Sequence, residues 1–256
     1  MKTIRDMVVV SKVFLNEQHF LLQCTHQETL PEILPGQFAE VRVDHNKQVF
    51  LRRPLSIHDV DQRTNSLTFL VKIIGCGTSE LSFLKQGDLL NVIFPLGTGF
   101  GIETPHDALL VGGGCGSAPL LYLARSLQAS GKKTRILLGA RTAEELMEAD
   151  EFAKYGEVFL STDDGSLGEK GFVTQHSLWQ SIAQFTKIFC CGPEAMMKAV
   201  AAMAKKKAIE CEVSLENTMA CGIGACLCCV TETIRGHECV CTSGPVFNIN
   251  ELKWQI

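Results

Sequence analysis

The sequence predicts a multi-domain β plus α/β protein: an N-terminal antiparallel β-barrel, a nucleotide-binding α/β domain and a C-terminal loop module built round cysteines. Three observations carry that expectation. Short apolar runs separated by turn residues fill the N-terminal part, strand and helix alternate from near Asp107 onward, and six of the 12 cysteines fall between Cys221 and Cys241. The domain boundaries that follow are 1–101, 102–212 and 213–256.

With 256 residues and 46% hydrophobic content, the chain has enough material for two compact domains with a real core. A net charge of -4, from 24 basic and 28 acidic residues, provides no basic field to neutralise a phosphate backbone, which argues against a nucleic-acid partner. No apolar run approaches the roughly 20 residues that span a bilayer. The start, Met1 to Val10, carries Lys2, Arg5 and Asp6 and no long apolar leader. The expectation is a cytoplasmic protein with no membrane partner.

The barrel strands are Met7 to Leu15, Phe20 to Cys24, Ala39 to Val43 after the turn Pro35-Gly36-Gln37-Phe38, Ser66 to Ile74, and Leu89 to Phe94 after Gly87-Asp88. Closure into a barrel would remove exposed strand edges. The one helical candidate in this half is Ser79 to Leu84.

The second half opens with a strand over Ala108 to Val111, a glycine turn and a helix over Ala118 to Ser130. A strand over Thr134 to Leu138 follows, then a helix from Ala143, where Thr142 and Glu145 have capping-box spacing. Strands over Glu157 to Ser161 and Lys187 to Cys191 and a helix from Glu194 to about Lys207 complete a parallel α/β layer.

Cys221, Cys226 and Cys229 stand in a C-x4-C-x2-C arrangement, with Cys241 after eleven intervening residues. That is the plant-ferredoxin spacing for a [2Fe-2S] centre, in which a tight loop brings three thiolates round and a distant fourth closes the site. Gly222 and Gly224 suit such a loop, which needs unusual backbone angles and amides aimed at sulfur. The alternative is a structural zinc site, with Cys228 and Cys239 leaving the ligand set open. Zinc knuckles use paired C-x2-C units, and Cys239-Val240-Cys241 is not one, so iron-sulfur is preferred.

Two segments stand out in the first half. Arg52-Arg53-Pro54-Leu55-Ser56 follows a strand-like run, and by themselves its two adjacent arginines read equally as a solvated strand end. Leu70-Val71-Lys72 ends a strand, and Gly75-Cys76-Gly77-Thr78-Ser79 opens a short helix whose free amides suit a phosphate. Lys72 serves equally as an exposed strand residue. Leu109 to Pro119 is an apolar strand running into Gly112, Gly113, Gly114 and Gly116 and a helix, a second phosphate-binding turn. It is not the simple dinucleotide fingerprint, because Pro119 takes the place of the last glycine and Gly139-Ala140-Arg141, not an acid, ends the next strand.

These motifs are similar to those of the ferredoxin reductase family: R-x-Y-S for Arg53 to Ser56, G-G-G-x-G-x-x-P for Gly112 to Pro119, and C-G-P-x-x-M for Cys191, Gly192, Pro193 and Met196. The resemblance implies that Arg53 pairs with the FAD pyrophosphate, Ser56 faces the flavin ring and Cys191 lies near the nicotinamide. Leu55 departs from the aromatic residue that many relatives carry, and an ordinary buried thiol is the alternative reading of Cys191. With Asp163-Asp164-Gly165-Ser166, Gly168, Lys170-Gly171, Met219 to Cys226 and Gly244-Pro245-Val246-Phe247, almost the whole chain resembles the electron-transfer subunits of NAD-dependent, class 1B dihydroorotate dehydrogenases. Cys228 stands where many of those relatives have glycine.

That resemblance implies electrons passing from a partner, an FMN-containing catalytic subunit of dihydroorotate dehydrogenase, through the [2Fe-2S] cluster and FAD to NAD+, in a heterotetramer. Dihydroorotate oxidation would occur on the partner, so no catalytic residue is assigned here. The rival within the superfamily is the small flavin subunit of an NADH-dependent ferredoxin:NADP oxidoreductase or sulfide dehydrogenase. A rival from another class is a zinc-bearing interaction protein, which would be colourless.

Overall fold

The computed structural model describes residues 2–44, 46, 48–103 and 107–256; Met1, part of the segment Met1 to Val10 read for a leader, lies outside them. The first layer holds β1 (Thr3–Phe14), β2 (His19–Thr25), β3 (Phe38–Val41), β4 (Arg53–Ser56), β5 (Asp59–Asp61), β6 (Ser66–Lys72) and β7 (Leu89–Leu96). They form one antiparallel sheet in the order β4-β3-β7-β1-β2-β6-β5. Alternation drives it: Met7 and Val9 of β1, Phe20 and Leu22 of β2, and Leu67 and Phe69 of β6 turn inward and are fully buried.

The two sheet edges, β4 and β5, are consecutive in the chain. Ile57 N–H donates to Gln37 O beside β3, and the next residue, His58, donates to Thr68 O on β6. One extended segment therefore pairs at both edges and closes the barrel. The Arg53-Pro54-Leu55-Ser56 motif is itself a strand here, and Pro54 is tolerated because it lies at the sheet edge, where its missing N–H breaks no inner ladder. The short helix α1 (Cys76–Leu81) begins three residues earlier than the sequence suggests, since Thr78 Oγ1 accepts the Ile74 N–H at 2.9 Å and fixes the turn before it.

The second layer is β8 (Ala108–Gly113), α2 (Ala118–Ala129), β9 (Thr134–Ala140), α3 (Ala149–Phe152), β10 (Glu157–Thr162), β11 (Glu169–Lys170), β12 (Lys187–Cys191), α4 (Glu194–Lys206) and β13 (Glu210–Ser214). Its sheet runs β11-β10-β9-β8-β12-β13 and ends on the strand Val246–Asn248, parallel except for that last strand. All of β8 is buried, as expected of a central parallel strand covered on both faces. The helix expected from Ala143 does not form. A 3-10 turn over Ala143–Glu145 stands there, Glu145 is drawn back to Arg141, and the Ala143 N–H finds Ser166 Oγ at 2.8 Å instead of a Thr142 cap.

After β13 the chain leaves the sheet, forms the cysteine loop, the hairpin β14 (Val230–Thr233) and β15 (Gly236–Cys239) and the turn α5 (Val240–Ser243), and returns as β16 (Val246–Asn248) antiparallel to β13. The barrel docks on α2: Tyr122 N–H donates to His58 O at 3.1 Å, His58 Nδ1 lies 2.8 Å from Ala118 O, and Arg125 pairs with Asp59 at 2.8 Å.

Candidate functional site

Three groups of residues gather at the junction of these layers. The first joins both flavin segments. The Arg53 side chain lies across Gly77, where an added Cβ would come within 2.9 Å of its Cδ and Nε. Arg53 Nη2 donates to Leu51 O at 2.8 Å, while Nε is buried without a partner. A planar cationic fork with a spare donor, next to the first turn of α1 and the buried Thr78, fits an anionic diphosphate. Across the β3–β4 pair, Ser56 stands opposite Phe38 and Pro54 opposite Glu40. Leu55 packs toward the barrel core, and Val71 is buried in it, so only the Val71 backbone can face a ligand. Leu70 packs with Ala118, Met147 and Cys115, tying the end of β6 to the glycine turn of the second layer.

The second group lies at the carboxyl ends of the parallel strands, where ligands bind in such sheets. The glycine turn Gly112 to Gly116 meets Cys191-Gly192-Pro193 backbone to backbone. A Cβ on Gly116 would stand 2.4 Å from Gly192 Cα, and one on Gly113 would stand 2.5 Å from Met196 Sδ and 3.0 Å from Pro193 Cδ. Gly114, with φ of 53°, has open space above it. Cys191 is almost fully buried, and burial pushes its thiol well above the ordinary range, which makes it a packing group and not a nucleophile.

Glu216, which sequence reasoning passed over, is the acid facing Lys72 and Cys115 near this crevice. Desolvation raises its carboxyl above the ordinary range and Lys72 partly offsets that. By area it is exposed, so the effect is that of a crevice wall and not of a core.

The third group is the cysteine loop. Gly222, Gly224 and Leu227 adopt positive φ of 66°, 83° and 56°, which turns successive amides inward. Ile223, Ala225 and Cys226 N–H groups approach Cys221 Sγ at 3.5, 3.3 and 3.4 Å, and Gly224 N–H approaches Cys241 Sγ at 3.1 Å. Cys241 N–H approaches Cys229 Sγ at 3.4 Å. The amides, Ile223 first, lower the Cys221 thiol to about 6, whereas burial pushes Cys241 up to about 12.

The four thiols fall into two pairs, Cys221 with Cys226 and Cys229 with Cys241. Among the described residues, no three His, Cys, Asp or Glu side chains are arranged about a single metal ion. Two thiolates for each of two irons is what a [2Fe-2S] centre takes, so the donor set and its inward amides fit that group. Cys228 is exposed, and Cys239 lies beside Cys229.

The pleat relates the first group to the third. Phe38 and Leu96 share one buried cluster with Met219, Cys229 and Cys241, and a Cβ on Gly222 would stand 2.5 Å from Glu40 Cγ and 3.2 Å from Leu96 Cδ1. Phe38 and Glu40 are two apart on β3 and so share a face, and their cross-strand partners Ser56 and Pro54 share it too. The cysteine loop therefore covers the side of the barrel wall on which Ser56 stands. Glu40 is the second functional candidate that sequence reasoning missed, although an acid inside the apolar run Phe38-Ala39-Glu40-Val41 is a visible signal.

The chain is similar to several known proteins. Residues 216–253 match the iron-sulfur cluster binding domain of dihydroorotate dehydrogenase B, and residues 110–202 match the oxidoreductase NAD-binding domain. The dihydroorotate dehydrogenase B (NAD(+)) electron transfer subunit of Fusobacterium nucleatum is 39% identical, covering 86% of each chain. The protein of the same name from Bacillus cereus (strain Q1) is 39% identical over 97% of this chain and 98% of its own. Among solved structures, one of an NADH-dependent reduced ferredoxin-NADP oxidoreductase superposes with a TM-score of 0.87 at 32% identity, covering 98% of this chain and 90% of that one. A ferredoxin NADP+ reductase from Neisseria gonorrhoeae with bound FAD and NADP, at 16% identity and a TM-score of 0.67 over 80% of this chain and 91% of that one, shares the fold.

Proposed function

The chain belongs to the family of electron transfer subunits of dihydroorotate dehydrogenase B (NAD(+)), and from that premise we propose that its three groups of residues form one electron path. It is an NAD-linked oxidoreductase subunit that works with FAD, a [2Fe-2S] cluster and NAD. When bound, the cluster carries single electrons and FAD converts them to the hydride that NAD+ accepts.

The residues divide the work. Arg53 and the amides round Gly77 and Thr78 hold the FAD diphosphate, Pro54 and Ser56 line the ring together with the backbone of Leu55, and Leu70, Val71 and Lys72 border it through the end of β6. Gly112, Gly113, Gly114 and Gly116 admit the NAD phosphates, with Cys191, Gly192 and Pro193 at the nicotinamide. Cys221, Cys226, Cys229 and Cys241 hold the irons. Residues 1–101, 102–212 and 213–256 carry the FAD, NAD and cluster parts in turn. The observation that carries the reading is the shared face: the loop with the four thiols lies on the Ser56 side of the barrel wall.

The partner in this reading is an FMN-containing catalytic subunit that oxidises dihydroorotate, assembled with this chain as a heterotetramer. The exposed side chains of Ile223, Cys226 and Leu227 place the cluster loop at the surface, where a partner can reach it. None of the 12 cysteines is in a disulfide, which fits the reducing cytoplasm, and no helix among the described residues is long and apolar enough to cross a membrane.

Co-expression with the dihydroorotate-oxidising subunit tests the assignment. A complex containing FMN, FAD and iron that reduces NAD+ with dihydroorotate supports it. A chain that instead couples NADH to NADP through a ferredoxin-linked partner moves it to the oxidoreductase whose structure superposes at a TM-score of 0.87.

A further inference from the structure

β3 is apolar except for Glu40, which is fully buried between the cysteine loop and the flavin strand. Neither carboxyl oxygen has a partner. Two guanidinium groups are near, yet Arg52 spends its donors on the Glu40 backbone O, Asn91 O and Asn91 Oδ1, and Arg53 turns to Leu51 O. Burial disfavours the charged form of this carboxyl, and Arg52 and Arg53 favour it. A side chain kept only for packing would be served better by an apolar residue of the same size.

Its surroundings give the acid a different use. The stem of Glu40 lies against Gly222, the residue after Cys221, and would meet any Cβ placed there at 2.5 Å. On its other side it stands opposite Pro54, two residues from Ser56. It is thus an ionisable group set in the wall between the two redox centres of the proposed path. Reduction of the iron adds negative charge to the loop, and a carboxylate across the wall opposes that charge in a medium that screens it weakly.

We infer that Glu40 sets the relative potentials of the two centres, lowering that of the cluster it packs against by more than that of FAD. The inference rests on the proposed function and deepens it. Glu40 acts through the centres it faces and is a positioning residue in the electrostatic sense, since no bond to it forms or breaks.

The test is an anaerobic redox titration of the holo-protein at a pH well above 7, with the cluster followed by EPR and FAD by visible absorbance. Glu40→Gln removes the charge and keeps the shape; Glu40→Asp keeps the charge. The expected result is a cluster midpoint shifted to more positive potential in Glu40→Gln, a smaller shift in FAD, unchanged iron and FAD content, and a cluster midpoint near wild type in Glu40→Asp. An unchanged cluster midpoint in loaded Glu40→Gln overturns the inference and leaves the proposed function standing. Loss of iron from Glu40→Gln with retention in Glu40→Asp makes the residue a structural support and overturns it too. A wild-type protein without iron removes both.

Discussion

The Gly116 backbone lies directly against that of Gly192: a Cβ on Gly116 would stand 2.4 Å from Gly192 Cα and 2.6 Å from its N. Neither neighbour is a flexible side chain that can swing away. Gly116→Ala must push the glycine turn off the Cys191-Gly192 strand end, at a cost of about 1–3 kcal/mol for overpacking. NADH oxidation with an artificial acceptor is expected to fall on the order of a hundredfold, the effect of displacing a bound reactant by about 1 Å. FAD and iron content, measured by absorbance and metal analysis, should stay at wild-type levels.

Arg53 and Gly77 give the complementary result in the barrel. Losing a charge-assisted hydrogen bond costs about 1.5–3 kcal/mol, so Arg53→Ala should weaken FAD roughly ten- to a hundredfold. Gly77→Val should act in the same direction by displacing the Arg53 side chain that crosses it. Fluorescence titration of apoprotein with FAD measures both, and iron should remain bound in each.

Serine at Cys221, Cys226, Cys229 or Cys241 should abolish the cluster EPR signal, because each thiol belongs to one of the two pairs. Cys228→Ser should leave it intact, since that side chain is exposed and no backbone amide of the loop approaches its sulfur. NADH-dependent reduction of an artificial acceptor should survive all five substitutions, as the FAD and NAD residues lie on other elements.

Glu40 makes the stability of the cofactor-free chain depend on pH. Its carboxyl moves from an ordinary 4.5 to about 7 on folding, chiefly by desolvation. Between those values the folded chain binds more protons than the unfolded one, so stability is fully present below 4.5 and falls as pH rises through about 7. The loss is about 3 kcal/mol at most. Thermal melts of apoprotein from acid to alkaline pH should show this slope, and Glu40→Gln should flatten it and raise the melting temperature on the alkaline side.

Which parts were legible in the sequence follows from which signals are local. The long strands β1, β2 and β6, the helices α2 and α4 and the C-x4-C-x2-C loop stand in runs long enough for period or spacing to be read. β4 and β5 did not register as strands because they are short, one contains Pro54, and their pairing depends on a barrel closing round them. The helix from Ala143 failed because Arg141 and Ser166 compete for the groups a capping box would use. Glu40 and Glu216 were overlooked because their surroundings come from segments distant in the chain: Gly222 for one, Lys72 and Cys115 for the other.

The most direct test of the central claim is an anaerobic titration of the purified holo-protein with NADH, read by visible absorbance and EPR together. The account predicts one FAD and about two irons per chain, with NADH bleaching the flavin and raising the EPR signal of a reduced [2Fe-2S] centre. A colourless chain holding zinc and no flavin, or a flavin that NADH does not reduce, would contradict it.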